Sequence, residues 1–152
     1  MPKDGTQTRE KILDTAQALI YQRGFTATTL DRVLDGAGLT KGAFFHHFKN
    51  KDDLALALVE RYLEGEVAML EDLISRAEQL CRDPLQQIFI INGLMIEAID
   101  GGEPMQDGCL FASYALELAE FDDKTRAVAC KGFETWREII GPNMAEATQE
   151  HP

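Results

Sequence analysis

Apolar residues recur every three or four positions along most of the chain, which predicts an all-α fold. The first helix is predicted at about residues 6–23, ended by Gly24. A long helix, capped by Asn50, is predicted from Lys51 to about Leu80, with apolar residues along two of its sides. A helix that is apolar on two sides packs on two sides, so this one is expected to connect two parts of the molecule.

Three further helices are predicted after the long one. Asp83 and Pro84 form a cap followed by a first-turn proline, which opens the first of them. Residues 100–108 are rich in helix breakers and are predicted to form a loop. Gly141 and Pro142 are expected to stop the last helix and to leave a frayed tail at 143–152. The predicted bounds of these helices are about 84–99, 109–119 and 122–140.

Residues 24–54 have the pattern of two short helices joined by a tight turn and followed by the start of a third. Thr28 is expected to cap the first short helix, and Thr40 the second, which runs from Lys41 to about His47. Gly36 and Gly38 bracket the turn, where glycine adopts a positive φ at little cost. This arrangement is a helix-turn-helix, in which the second helix lies in the major groove of DNA.

The second short helix is basic and partly built from small residues. No acidic residue occurs between Asp35 and Asp52, and five basic residues fall within eleven positions: Lys41, His46, His47, Lys49 and Lys51. Small residues let a backbone approach closely, and cations with short polar donors bind phosphate, so this surface is expected to contact DNA. The alternative interpretation is a solvated basic face above a small aromatic core of Phe44, Phe45 and Phe48.

These residues resemble a known family. The run AGLTKGAFFHHF at 37–48, with Gly-Phe at 24–25, Thr-Leu at 29–30 and a helix opening at 8–13, is similar to the DNA-binding signature of TetR-type transcriptional regulators. The resemblance implies an N-terminal three-helix DNA-binding domain at 1–50. It also implies a long helix leading into a helical ligand-binding and dimerisation domain at 51–152, which lacks the family's usual last two helices. Phe45 stands where the family usually has a tyrosine that binds a phosphate.

The function that the resemblance implies is a ligand-responsive repressor. It would bind a palindromic double-stranded DNA operator as a homodimer and release it when a small-molecule effector binds. Lys41 is expected to read base edges, while Thr29, Thr40, His47 and Lys51 position the phosphate backbone. The alternative is a helical protein-interaction module that has lost specific DNA binding. The full predicted DNA-binding set is Thr28, Thr29, Thr40, Lys41, Gly42, Ala43, Phe45, His46, His47 and Lys51.

The effector site is much less defined by the sequence than the DNA-binding surface. A set of apolar residues from several predicted helices could line a pocket, or could equally form the ordinary core. Cys109 follows Gly108 at a predicted helix N-terminus, which would favour a reactive thiolate and a redox or electrophile sensor, although a lone cysteine is more often a small buried hydrophobe. The predicted pocket residues are Met69, Phe89, Leu94, Met95, Phe111, Tyr114, Phe133 and Trp136.

Charge and composition indicate which end of the chain faces DNA, where the chain is located and which kinds of site are not predicted. Residues 1–51 carry eight Lys or Arg against five Asp or Glu, a net +3, whereas residues 52–152 carry seven against twenty-one, a net −14. Such asymmetry would turn the basic end towards DNA. The three cysteines lack a Cys-x-x-Cys pair, and the chain has no apolar run that could cross a bilayer, so a reducing cytoplasmic location is expected. No catalytic triad, metal site or cofactor site is predicted.

Overall fold

The computed structural model describes residues 5–101 and 114–151, and at 98–101 it describes the backbone alone. Within those residues the fold is all-α, and no strand is present. The helices are α1 (Gly5–Ala27), α2 (Leu30–Ala37), α3 (Lys41–Phe45), α4 (Lys51–Leu80), α5 (Pro84–Gly101) and α6 (Asp123–Glu150), with a 3-10 helix at Leu118–Glu120. None of the described helices is long and apolar enough to span a membrane.

The described residues divide into two compact units. The first unit contains residues 5–62 and 114–129, and the second contains residues 63–101 and 130–151. Helices α4 and α6 therefore contribute residues to both units. The domain boundary expected after residue 50 stays a prediction.

The core of the first unit is built from the apolar faces of α1 to α4. Arg61 on α4 also forms hydrogen bonds with α1. Its guanidinium donates to Asp14 at 2.8 Å and to Glu10 at 3.2 Å. Asn50 caps α4 as its position predicts, with its side-chain oxygen accepting from Asp53 N at 2.8 Å. The most deeply buried core residues include Ile12, Leu13, Ala16, Ile20, Val33, Ala37, Phe44 and Leu58.

The second unit has its own smaller core. Leu73 and Ala77 of α4 and Ile91 of α5 are buried together, and five half-buried apolar side chains pack against them: Met69, Ile74, Ile90, Leu94 and Met95. Asp83 caps α5 with a carboxylate oxygen that accepts from Gln86 N at 2.9 Å. This backbone hydrogen bond is the main cause of a lowered pKa at Asp83.

The prediction that Gly141 and Pro142 end the last helix was wrong, because α6 continues through Pro142 to Glu150. Side-chain contacts hold the last turns in place. Asn143 donates to Gln87 at 3.3 Å, Ala147 is buried, and His151 lies 2.9 Å from the Asp83 carboxylate. These tertiary contacts offset the hydrogen bond that proline cannot donate. The tail predicted to fray is therefore helical through residue 150.

The helix predicted at 109–119 differs from the structure where it is described. Residues 114–116 are helical, Glu117 lies in a turn, and Leu118–Glu120 form the 3-10 helix. The loop predicted at 100–108 begins with the end of α5 at Gly101, and its remainder lies outside the described residues.

Candidate nucleic-acid interface

The backbone conformation of Gly24 determines how α1 leads into α2. We refer to residues 24–29 as the joint between these helices. This residue has φ 78° and ψ 168°, so the helical course of α1 breaks there, as the sequence predicts. Thr28 follows in the joint, only 3% exposed, and its hydroxyl donates to the Gly24 carbonyl at 2.8 Å. The cap of α2 is Thr29, whose hydroxyl oxygen accepts from Arg32 N at 3.4 Å. The assignment of the cap to Thr28 was wrong, and burial removes the Thr28 side chain from the surface that DNA could reach.

The turn between α2 and α3 needs glycine at two positions for different reasons. Gly38 has φ 61°, and its N–H donates to Asp35 O at 3.1 Å, which closes the end of α2. Gly36 is needed for space, because an added Cβ would lie 2.8 Å from Thr15 Cγ2 on α1. The two glycines fix both the turn and the packing of α2 on α1.

The N-terminus of α3 has the geometry that its sequence predicts. Thr40 caps it, with its hydroxyl oxygen accepting from Ala43 N at 3.2 Å. Lys41 is exposed, and its ammonium group lies 3.1 Å from the carboxylate of Asp31, which is also exposed. Gly42 carries no side chain on this surface, so a DNA backbone or base edge could approach the helix closely.

The aromatic residues of this segment divide between core and surface. Phe44 and Phe48 are buried, whereas Phe45 is 55% exposed. His46 is exposed and His47 is half-buried, with ring centroids 5.0 Å apart. Phe44 and Phe48 thus form the small aromatic core of the alternative interpretation, but Phe45 and both histidines remain available to a ligand.

Lys51 makes an internal contact that its position in the motif does not predict. Its ammonium group donates to the Phe25 carbonyl at 2.9 Å and lies 4.1 Å from the centroid of the Phe25 ring. Burial lowers the pKa of Lys51, while the nearby carboxylates of Glu117, Asp52 and Glu120 act in the opposite direction. The phosphate contact predicted for Lys51 would compete with this bond and stays a prediction.

Glu117 is the residue of this region that the sequence analysis missed. One carboxylate oxygen accepts from Phe25 N at 2.6 Å and from Thr26 N at 3.2 Å, directly after the break in α1. A Cβ at Gly24 would lie 2.5 Å from the other oxygen. Glu117 is 92 residues from Phe25 in the chain, so no local pattern could have indicated this contact.

Aromatic contacts reinforce the attachment of segment 114–121 to the joint. Phe121 packs edge-on against Phe25, with ring centroids 4.7 Å apart, and Tyr114 packs against Phe121 at 5.8 Å. Burial raises the pKa of Tyr114 well above its ordinary value. Tyr114 is 1% exposed and belongs to the first unit, and its assignment to the effector pocket stays a prediction.

The other predicted pocket residues that the structure describes fall into three groups. Met69 and Leu94 pack on the small core of the second unit, and Phe89 and Phe133 are 67% and 44% exposed. Met95 and Trp136 line a cavity of about 250 Å³ within the second unit. Phe111 and Cys109 lie outside the described residues, so their roles stay predictions.

One cluster of potential metal ligands occurs in the described part of the second unit. Asp83, Glu150 and His151 place ligand-type atoms within 4.8 Å of one another. Asp83 already accepts from Gln86 N and contacts His151, so these oxygens have internal partners. We assign no metal here.

A protein-family model and several known proteins are similar in sequence to this chain. A family model described as "Bacterial regulatory proteins, tetR family" matches residues 12–58. The HTH-type transcriptional repressor NemR of Escherichia coli is 29% identical over 144 residues, which are 95% of this chain and 70% of that protein. The HTH-type transcriptional repressor KstR2 of Mycobacterium tuberculosis is 34% identical over 90 residues, 59% of this chain and 44% of that protein.

A solved structure supports the same fold. The crystal structure of regulatory protein TetR from Rhodobacter sphaeroides superposes with a TM-score of 0.77 at 24% identity, covering 92% of this chain and 72% of that one. An all-α fold with a capped helix-turn-helix, in which Lys41 is exposed at the N-terminus of α3, suits a DNA-binding transcriptional regulator. Residues 12–58 are therefore a DNA-binding domain of the TetR type, and the whole chain is similar in sequence to an HTH-type transcriptional repressor.

Proposed function

We propose that this chain is a repressor that binds a palindromic operator as a homodimer and releases it when a small molecule occupies the second unit. The observation that carries the proposal is the exposed surface formed by the N-termini of α2 and α3. There, Thr29 and Thr40 cap their helices, and the Lys41 ammonium lies 3.1 Å from Asp31 in the first turn of α2. The named repressors NemR and KstR2, whose sequences are similar, support the assignment of repression.

The chemistry of this surface suits a phosphate backbone. The hydroxyl oxygens of Thr29 and Thr40 each accept a hydrogen bond from their own helix, which leaves each O–H free to donate to a phosphate oxygen. Lys41 would exchange its contact with Asp31 for one with a base edge. Both partners of that ion pair are well exposed, so breaking it costs little.

A homodimer would present two such surfaces to one duplex. Half-sites about 34–36 Å apart lie on the same side of B-DNA, one helical turn apart. Repression would follow when the dimer occupies an operator that overlaps a promoter. Effector binding would then lower the affinity by changing the spacing of the two surfaces, which is a shift between two states of different DNA affinity.

A gel-shift assay against fragments of genomic DNA tests the proposal. We expect the wild-type chain to retard a small subset of fragments and Lys41→Ala to lose most of that retardation. Lys124→Ala removes the same charge from an exposed position on α6, outside the helix-turn-helix, and should bind as the wild type does. Retardation of every fragment alike, or of none, would contradict an operator-specific repressor and favour the protein-interaction module.

A further inference from the structure

The cavity of the second unit is a cleft between α4, α5 and α6, and it is lined mainly by apolar residues with a few polar ones. Seven of the described lining residues are apolar, two are asparagines, and none is charged. We refer to it as the α4–α5–α6 cleft. The lining residues are Ile74, Ile88, Ile91, Asn92, Met95, Trp136, Ile140, Asn143 and Met144.

A chain of hydrogen bonds fixes the orientation of the Asn143 amide. Gln87, which is 8% exposed, donates from Nε2 to the Cys81 carbonyl at 2.8 Å. A backbone carbonyl can only accept, so the amide oxygen of Gln87 must face its other partner. That partner is Asn143, whose Nδ2 donates to Gln87 Oε1 at 3.3 Å. The oxygen of Asn143 is therefore left as an acceptor.

Asn92 is oriented by the same reasoning. Its Nδ2 donates to the Ile88 carbonyl at 2.8 Å, and this acceptor again determines which end of the amide is nitrogen. The Asn92 side chain is exposed, and its oxygen is left to accept from solvent or from a ligand. Two uncharged acceptors, from Asn92 and Asn143, therefore line an otherwise apolar cleft.

We infer that the α4–α5–α6 cleft takes a small uncharged ligand, mainly apolar, that carries a hydroxyl group able to donate to an amide oxygen. A charged ligand would lose its hydration without meeting an opposite charge, which is costly in an apolar site. A purely apolar ligand would displace water from the two amide oxygens without supplying a donor in its place. The inference rests on the proposed function, since it specifies the effector of that regulator.

The size of the cleft limits the ligand further. Ligand pockets usually have volumes of about 300–1,000 Å³, and the α4–α5–α6 cleft, at about 250 Å³, lies just below that range. A single ring with a short alkyl chain suits this space. Three compounds of nearly equal size separate the relevant properties: 4-propylphenol has a donor, 4-propyltoluene has none, and 4-propylbenzoate is charged.

Trp136 provides a direct measurement, because it lines the cleft and is the one tryptophan in the sequence. We would follow its indole N–H resonance by ¹⁵N–¹H NMR during titration with each compound. We expect a saturable shift with 4-propylphenol, binding about fivefold weaker with 4-propyltoluene, and no shift with 4-propylbenzoate at the same concentrations. Equal binding of the phenol and the toluene, or tighter binding of the benzoate, would overturn the inference.

Two variants on α5 test the role of the amide. Asn92→Leu should reduce the preference for phenol over toluene, whereas Phe89→Ala, at an exposed position outside the cleft, should leave it unchanged. If no compound shifts the resonance, or if it moves only with protein concentration because a second copy covers the cleft, the inference is wrong. A DNA gel shift without any compound tests the repressor proposal separately, so the two failures are distinguishable.

Discussion

The helix-turn-helix and the α4–α5–α6 cleft are built by different kinds of contact. In the helix-turn-helix, short-range bonds hold each turn: Thr29 and Thr40 cap their helices within three residues, and Gly38 closes α2. The cleft joins helices that lie far apart in the chain, and its polar link from Gln87 to Asn143 spans 56 residues. The first region presents polar groups on an exposed surface, and the second is a cleft lined mainly by apolar side chains.

This difference has consequences for how each region responds to substitution. A surface held by local caps can lose one side chain and keep its shape, so substitutions there act mainly on binding. A cleft assembled from three helices depends on packing, so substitutions there act on stability as well. The joint at Gly24 combines both features, because a local backbone break is held by the distant Glu117.

Ile91 and Phe89 are matched positions on α5. Alanine substitutions at these two positions should differ most in their effect on the free energy of unfolding. Ile91→Ala should lower the free energy of unfolding by about 2–4 kcal/mol, because Ile91 is buried against Leu73 and Ala77. Phe89→Ala should cost less than about 0.5 kcal/mol, since its ring is 67% exposed. Urea unfolding followed by Trp136 fluorescence measures both, and equal losses would show that Phe89 is packed after all.

Gly24→Ala should be the most damaging change at the joint. The positive φ costs an L-residue about 1–2 kcal/mol, and displacement of Glu117 would weaken two hydrogen bonds to a carboxylate, for a total of about 2–4 kcal/mol. Urea unfolding followed by circular dichroism measures the loss. The control is Gly65→Ala on α4, where an added Cβ meets nothing within 4 Å and the change should be neutral or stabilising.

A double variant separates the steric part of the stability loss caused by Gly24→Ala from the part caused by its backbone conformation. Glu117→Ala removes the carboxylate that a Cβ at Gly24 would meet, so Gly24→Ala should cost less in that background, by more than about 0.5 kcal/mol. Strict additivity of the two changes would show that Glu117 moves aside freely and does not hold the joint.

Lys41→Ala tests the exposed surface of α3 itself. We expect it to weaken binding to a retarded DNA fragment by about 1–3 kcal/mol and to relax base preference, because Lys41 is assigned to base-edge contact. Fluorescence anisotropy at fixed salt measures the affinity, with Lys124→Ala as the charge-matched control. Unchanged affinity and preference would remove Lys41 from the interface.

Phe45→Tyr is expected to have the smallest effect of these substitutions. It should strengthen DNA binding, whereas Lys41→Ala should weaken it. Phe45 is exposed, so an added hydroxyl can donate to a phosphate and strengthen DNA binding by about 0.5–1.5 kcal/mol. The matched change Phe44→Tyr would bury a hydroxyl at a fully buried position and should destabilise the fold. Weaker DNA binding by Phe45→Tyr would mean that the ring itself packs against the duplex.

The sequence predicted the elements whose determinants are local. The break at Gly24, the turn at Gly38 and the caps at Asn50 and Thr40 were expected from residue type and spacing, and the structure confirms them. The error at the cap of α2, Thr28 in place of Thr29, arose because two adjacent threonines have the same capping chemistry. Only tertiary packing distinguishes the buried residue from the exposed one.

The features that the sequence did not predict depend on contacts between distant residues. Periodicity marked Phe89, Phe133 and Tyr114 as apolar, but it could not tell that two of them face solvent and that the third belongs to the first unit. The continuation of α6 through Pro142 depends on Asn143 and His151 contacting Gln87 and Asp83. Residue type alone favoured a helix end there.

Selection from a pool of random DNA duplexes tests the central claim, that this chain reads DNA sequence through α3, most directly. The wild-type chain is incubated with the pool at physiological salt, and the bound duplexes are sequenced after several rounds. The account predicts enrichment of a two-fold symmetric site whose half-sites lie one helical turn apart, and a changed or degraded half-site with Lys41→Ala. No enriched sequence, or an identical one from Lys41→Ala, would contradict it.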